Sequence, residues 1–212
     1  MLRAVLFDMD GVLADTESFY NRRRAAYLSE VLPSYDGPWD FAGSNDRAIW
    51  EIIVPDDPVL RELLHAGYDA YRVVHAEDYR ELGNPDAPAV FAQLKAMGLL
   101  LGIASSSEVE AIERMMRETG LSALVDAYVS GHDVPRHKPA PDVYLACMER
   151  LGVCPLECVV VEDSATGIAA GVAAGACVVA LEQYVADGTN QSAADLRIPR
   201  LSDLPQALCT KF

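Results

Sequence analysis

The stretch Ala4–Glu17, AVLFDMDGVLADTE, decides how the remainder of the chain is read. Four apolar residues, Ala4 to Phe7, run directly into Asp8, and Asp10 and Gly11 follow at once. A buried strand is therefore expected to end in two carboxylates and a tight turn. In an open parallel sheet the C-terminal ends of the strands border the ligand crevice, which would put Asp8 and Asp10 where ligands bind. Taken alone, Asp-x-Asp-Gly also fits a solvated turn. The choice depends on what later strands end in.

Working outward, the composition turns helical after Asp15 and stays so to about Tyr79. Phe19, Tyr20, Tyr27, Leu28, Val31 and Leu32 recur at roughly helical spacing, and the triplet Arg22–Arg24 between them reads as a solvated face. The loop Ala42-Gly43-Ser44-Asn45-Asp46 leads into a short helix carrying Ile49, Ile52 and Ile53. A third helix has Asp57 as its cap, Pro58 in its first turn, and Leu60, Leu63, Leu64, Gly67, Tyr71 and Val74 as its apolar face. The turn-rich run Leu82–Pro88 reads as the way out of this unit.

Beyond that run, helix and strand alternate. A helix over Pro88–Met97 is closed by Gly98, and the apolar strand Leu99–Ala104 ends in Ser105-Ser106-Ser107. Ser107 and Glu110 stand at capping-box spacing for a helix over Val109–Thr119. A short strand at Tyr128–Ser130, a helix at Asp142–Leu151 and a strand at Val159–Val161 follow, the last running into Glu162-Asp163. A small-residue helix at Ala165–Ala174, a strand at Val178–Leu181 and a short helix at Ser202–Leu208 complete the pattern. The alternation predicts an α/β fold: a Rossmann-like parallel sheet with helices on both faces, and a small all-α unit inserted after the first strand. The expected boundaries are 1–14 with 83–212 for the catalytic core and 15–82 for the helical unit.

At 212 residues and 51% hydrophobic content, the chain can bury one sizeable core beside a smaller second domain. No apolar run approaches the roughly 18 residues that span a bilayer, and strand-like residues give way to Asp8 before a signal-peptide segment develops. A cytoplasmic protein is expected. The formal net charge is −15, from 17 Lys+Arg against 32 Asp+Glu, and such a field repels nucleic acid and acidic membrane surfaces. A small anionic substrate would need local help from a metal ion, a lysine and backbone N–H groups. Cys147, Cys154, Cys158, Cys177 and Cys209 show no C-x-x-C spacing and read as ordinary thiols. His65, His75, His132 and His137 show no metal-ligand spacing. Nothing in the sequence indicates an oligomer, and a monomer is expected.

Three apolar strands thus end in polar residues: Asp8 and Asp10, Ser105 and Ser106, Glu162 and Asp163, with Lys138 in a loop between two of them. Parallel pairing would bring these ends to one edge. The chemistry that needs such a set is phosphoryl transfer. One carboxylate attacks phosphorus and forms an aspartyl-phosphate, while a second carboxyl serves as general acid and then base. Clustered carboxylates call for a hard divalent cation such as Mg²⁺, and a lysine and a serine hydroxyl would offset and orient the transferring group.

The order Asp8-Met9-Asp10-Gly11-Val12, then Ser105, then Lys138-Pro139-Ala140-Pro141-Asp142, then Glu162-Asp163-Ser164 with Gly167, resembles the four motifs of the haloacid dehalogenase superfamily. Within it, the chain is most similar to the β-phosphoglucomutase-like and phosphoglycolate phosphatase-like branch, whose helical cap domain is inserted after the first motif. The resemblance implies Asp8 as nucleophile and Asp10 as acid/base, with the Asp10 carbonyl also on the metal. It implies Ser105, with Ser106 beside it, on the phosphoryl group, Lys138 neutralising nucleophile and phosphate, and Asp163 as a Mg²⁺ ligand assisted by Glu162. Gly11 would let the chain turn away towards the inserted helices. Asn45 and Arg47, near Gly43, are the candidate substrate contacts of the helical unit.

The expected activity is hydrolysis of a small phosphorylated metabolite of the sugar phosphate or phosphoglycolate type. The alternative is a phosphomutase. Against it, Tyr20 stands where those mutases carry a linker histidine, and Asp46 where they carry a phosphate-binding arginine. A dehalogenase lacks the acid at the Asp10 position, and phosphonate hydrolysis needs a lysine in the inserted helices, while Met1–Gly83 contains none. A non-catalytic phosphometabolite sensor is the alternative of another class, and the intact nucleophile, acid and lysine weigh against it.

Overall fold

The computed structural model describes residues 1–38, 41, 46–185 and 188–211. Among them, six strands pair in parallel: β1 (Ala4–Phe7), β2 (Leu100–Ser105), β3 (Ala127–Ser130), β4 (Cys158–Glu162), β5 (Cys177–Leu181) and β6 (Leu196–Ile198). Their order across the sheet is β3-β2-β1-β4-β5-β6. The chain builds outward from β1 in one direction, then returns to its other flank at β4, and a reversal of this kind opens a crevice at the strand C-termini. The register places Phe7 level with Ile103 on one side and Val161 on the other.

Burial on both faces explains why these strands are continuous apolar runs. In β1, Val5 and Phe7 join one core and Ala4 and Leu6 the other, all four fully buried. The first face is covered by α5 (Ala87–Ala96), α6 (Val109–Glu118) and α9 (Leu204–Lys211), where Phe91 stacks on Phe7 at 4.6 Å between ring centroids. The second is covered by α7 (Asp142–Leu151) and α8 (Ala165–Ala173), through Tyr144, Cys147, Met148 and Ile168. Two elements were not anticipated. The edge strand β6 has only three residues with Arg197 exposed at its centre, too short and too polar a pattern to stand out. The single-turn helix α4 (Tyr79–Leu82) begins where Tyr79 N–H donates to Glu118 at 3.0 Å.

The chain divides into two compact units, Met1–Asp15 with Tyr79–Phe212, and Thr16–Asp78. The second contains α1 (Thr16–Val31), α2 (Asp46–Ile53) and α3 (Pro58–Val74) around Tyr27, Leu28, Trp50, Ile53, Leu64 and Tyr68. Asp57 caps α3 as expected, its carboxylate accepting from the N–H groups of Val59 and Leu60 at 3.0 Å. Two expectations within this unit are corrected. Leu63 and Val74 of the anticipated apolar face are exposed. Arg23 and Arg24 are buried rather than solvated: the Arg23 guanidinium lies over the rings of Phe19 and Tyr20 at 5.1 Å and pairs with Glu77 at 2.9 Å, so stacking and charge pairing replace hydration. Among the described residues no helix is long and apolar enough to cross a membrane.

Candidate active site

Because Phe7 is level with Val161 and Ile103, Asp8 leaves the sheet beside Glu162 on one side and Ala104 on the other. Lys138 fills the space between them. Its ammonium lies 2.7 Å from Asp8 Oδ1, 2.7 Å from Glu162 Oε1 and 3.1 Å from the Ala104 carbonyl, and sits over the Tyr144 ring at 4.7 Å. A lysine far from both carboxylates in sequence is thus anchored at the ends of three strands.

Glu162 is fully buried and both its oxygens are engaged. Oε1 accepts from Lys138 and from the Tyr144 hydroxyl at 2.8 Å, while Oε2 accepts from the N–H groups of Asp163 and Ser164 and from Ser164 Oγ at 3.0 to 3.2 Å. Ser164 also caps α8, accepting from Gly167 N–H at 3.0 Å. Gly167 is required there: a Cβ at that position would lie 1.7 Å from Glu162 Oε1. Gly11 does the same for the next carboxylate. It adopts φ +78°, and a Cβ would meet Asp163 Oδ2 at 2.1 Å.

Burial drives the Asp8 carboxyl up to about 7, with Lys138 pulling the other way and Glu162 and Asp10 adding to the rise. Burial alone would lower Lys138, but Asp8 and Glu162 hold its ammonium above the ordinary range. Against its own burial, Glu162 is drawn below the ordinary carboxylate range by Lys138, Tyr144 and Ser164. One ammonium therefore faces more negative charge than it can balance. Asp8, Glu162 and Asp163 each present an oxygen, all within 4.8 Å of one another, a set of hard donors that suits a divalent cation such as Mg²⁺.

Asp10 occupies the turn after β1, where Gly11 N–H donates to the Ala14 carbonyl at 2.8 Å. Its Oδ2 accepts from Ser107 Oγ at 2.6 Å. Ser105 is fully buried at the end of β2, its Oγ accepting from Ser107 N–H, and Ser106 beside it is exposed. The structure therefore brings Asp8, Lys138, Glu162 and Asp163 together, with Asp10 and the serines on the β2 side. Arg47 lies in α2 of the other unit, exposed and paired with Glu51 at 3.0 Å. Asn45 lies outside the described residues.

Several residues to which the sequence assigned no role take part. Tyr144 and Ser164 complete the shell of Glu162, and Ser130 at the end of β3 donates to the Ser107 carbonyl at 2.7 Å. Ser130 had a signal, as one more polar residue closing an apolar strand. Gln191, buried in the irregular stretch after β5, donates to the carbonyls of Asp163 and Leu181 at 2.7 and 2.9 Å, and no local pattern announces it.

Residues 2–175 match the family model described as haloacid dehalogenase-like hydrolase. The chain is 31% identical to the protein CbbY of Rhodobacter capsulatus, over 95% of this chain and 94% of that one. It is 32% identical to hexitol phosphatase B of Escherichia coli strain K12, over 81% and 79%. Its fold is similar to the crystal structure of β-phosphoglucomutase from Clostridium difficile, with a TM-score of 0.74 and 20% identity across 100% of this chain and 96% of that one. Taken with acidic strand ends gathered at one edge of a parallel sheet, the match along most of its length shows that the chain belongs to the haloacid dehalogenase-like hydrolases.

Proposed function

We propose that the protein is a Mg²⁺-dependent phosphatase that hydrolyses a small phosphorylated metabolite through an aspartyl-phosphate on Asp8. The observation that supports this best is the Asp8 carboxylate 2.7 Å from a buried lysine, beside Asp163 and Glu162 at the open edge of the sheet. In the first half-reaction an Asp8 oxygen attacks phosphorus, the bond to the leaving oxygen breaks, and Asp10 gives that oxygen its proton. In the second, water attacks the phosphorus, Asp10 takes the water's proton, the bond to Asp8 breaks, and inorganic phosphate leaves with both aspartates restored. Lys138 offsets charge on nucleophile and phosphoryl group, and Ser105, Ser106 and the turn at Gly11 orient that group. Asp8, the Asp10 carbonyl and Asp163 would hold Mg²⁺, with Glu162 acting through Lys138. When bound, Mg²⁺ supplies positive charge beside Asp8 and the transferring oxygens.

Likeness to hexitol phosphatase B favours a phosphorylated sugar or polyol as substrate. Selection among such compounds is assigned to the helical unit, with Arg47 its described candidate contact. Phosphate release in Mg²⁺ from sugar and hexitol phosphates, phosphoglycolate and nucleotides tests the reading, and silence across the whole panel would overturn it. Asp8→Asn is expected to abolish turnover; an active variant would show that the nucleophile lies elsewhere.

A further inference from the structure

Ser107 stands at capping-box spacing with Glu110, yet it does not cap a helix. The residue before α6 is Glu108, whose side chain makes no cap hydrogen bond, and the Ser107 hydroxyl instead donates to Asp10 Oδ2 at 2.6 Å. The peptide groups of Ser107 are held on both sides. Its N–H donates to Ser105 Oγ at 3.0 Å, and its carbonyl accepts from Ser130 Oγ at 2.7 Å. Ser105 and Ser130 are both fully buried, and Ser130 Oγ also accepts from His132 N–H at 3.1 Å. Two serines are thus taken out of water at the ends of β2 and β3, where an unbonded hydroxyl is costly, and both are bonded to the same residue. Their combined effect is to fix the Ser107 backbone between two strand ends and aim its hydroxyl at the carboxyl two residues past Asp8.

We propose that Ser107 is a positioning residue for Asp10, orienting its carboxyl towards the leaving oxygen. A serine hydroxyl has one proton to donate, and here it goes to Oδ2. The proton that Asp10 gives the leaving oxygen, as the phosphorus–oxygen bond breaks, is then carried on Oδ1. The donor is neutral, so it bonds Oδ2 both before and after that proton moves. Nothing in this role requires Ser107 to touch phosphorus. The inference rests on the aspartyl-phosphate reading above.

The experiment compares kcat/KM, in Mg²⁺, for phenyl phosphate, whose phenolate is a poor leaving group, and for 2,4-dinitrophenyl phosphate, whose anion departs without a proton. Ser107→Ala is expected to lower kcat/KM about tenfold to a hundredfold on the first and less than about twofold on the second, because only the first needs a well-aimed acid. Ser107→Thr, which keeps the donor, should restore most of the phenyl phosphate rate. Ser107→Cys, similar in volume but a weak donor, gives the same comparison should the alanine variant not fold. In an Asp10→Asn background, Ser107→Ala should add no further loss. Equal losses on both substrates, or no rescue by threonine, would overturn the role. Asp10→Asn measured alone keeps the two readings apart: if it shows no leaving-group dependence, Asp10 is not the acid, whatever Ser107 does.

Discussion

On the β4 side of the site carboxylates are held by charge, and on the β2 and β3 side by hydroxyls. Asp8 and Glu162 share one buried ammonium at 2.7 Å each, and Glu162 is closed in by Tyr144 and Ser164. Asp10 is met by Ser107, itself set in place by Ser105 and Ser130. A fixed positive charge favours the carboxylate form: it draws Glu162 below the ordinary range and offsets part of the rise that burial imposes on Asp8. A neutral hydroxyl bonds an acid or its anion, which suits a group whose proton must come and go. The proposed nucleophile and the proposed acid therefore sit two residues apart in different surroundings, one met by an ammonium and the other by a hydroxyl.

The sharpest way to break this contrast is Lys138→Met, which leaves Asp8 and Glu162 buried without their counter-charge. It is expected to cost about 3–5 kcal/mol in denaturant unfolding and to lower turnover about 10²–10³-fold. An unfolding midpoint equal to wild type would mean the ammonium is not what holds this half. Next in size is the response to metal: Mg²⁺ at a hundred times its Kd should stabilise the wild-type chain by about 2.7 kcal/mol. Thermal melting with and without EDTA measures this, and Asp163→Asn should remove the upshift while the metal-free melting temperature stays close to wild type. Gly167→Ala is expected to destabilise by about 1–3 kcal/mol, because its methyl group would overlap Glu162 Oε1 and force that carboxylate off its donors. On the hydroxyl side the smallest effect is predicted: Ser130→Ala should cost about 1 kcal/mol. Its kcat/KM profile should resemble that of Ser107→Ala on the two aryl phosphates, since it frees the same backbone.

The carboxylates could be found in the sequence because buried parallel strands are unbroken apolar runs, so a charge at their end stands out, whereas Lys138, in a loop, was marked by the Pro139-Ala140-Pro141 run that follows it. The same contrast marked β1, β2, β4 and β5, and alternation with helices gave the layered architecture. What local pattern could not supply was the partner across the fold. Ser107 carries a helix-start signature, and only the position of Asp10 shows that its hydroxyl is used elsewhere. Arg23 and Arg24 look solvated as a basic run, and only Phe19, Tyr20, Tyr68 and Glu77 reveal a buried pair of cations. Gln191 has no periodic context, and its role depends on two carbonyls that come close through the pairing of β4 with β5.

The central position of β1 also has a consequence for how the chain acquires its shape. Ala4 pairs with Leu100 on one flank and Cys158 on the other, so the strand leading into Asp8 is synthesised long before either neighbour exists. Contacts this distant in sequence are slow to form, because a long loop must close before any pairing rewards it. Until β4 emerges, Ala4–Phe7 is an apolar segment with an open edge, and Asp8 and Lys138 lack the carboxylates of Glu162 and Asp163. The charged cluster is therefore completed only when β4 joins β1, and a nascent chain that has not yet reached Asp163 lacks it.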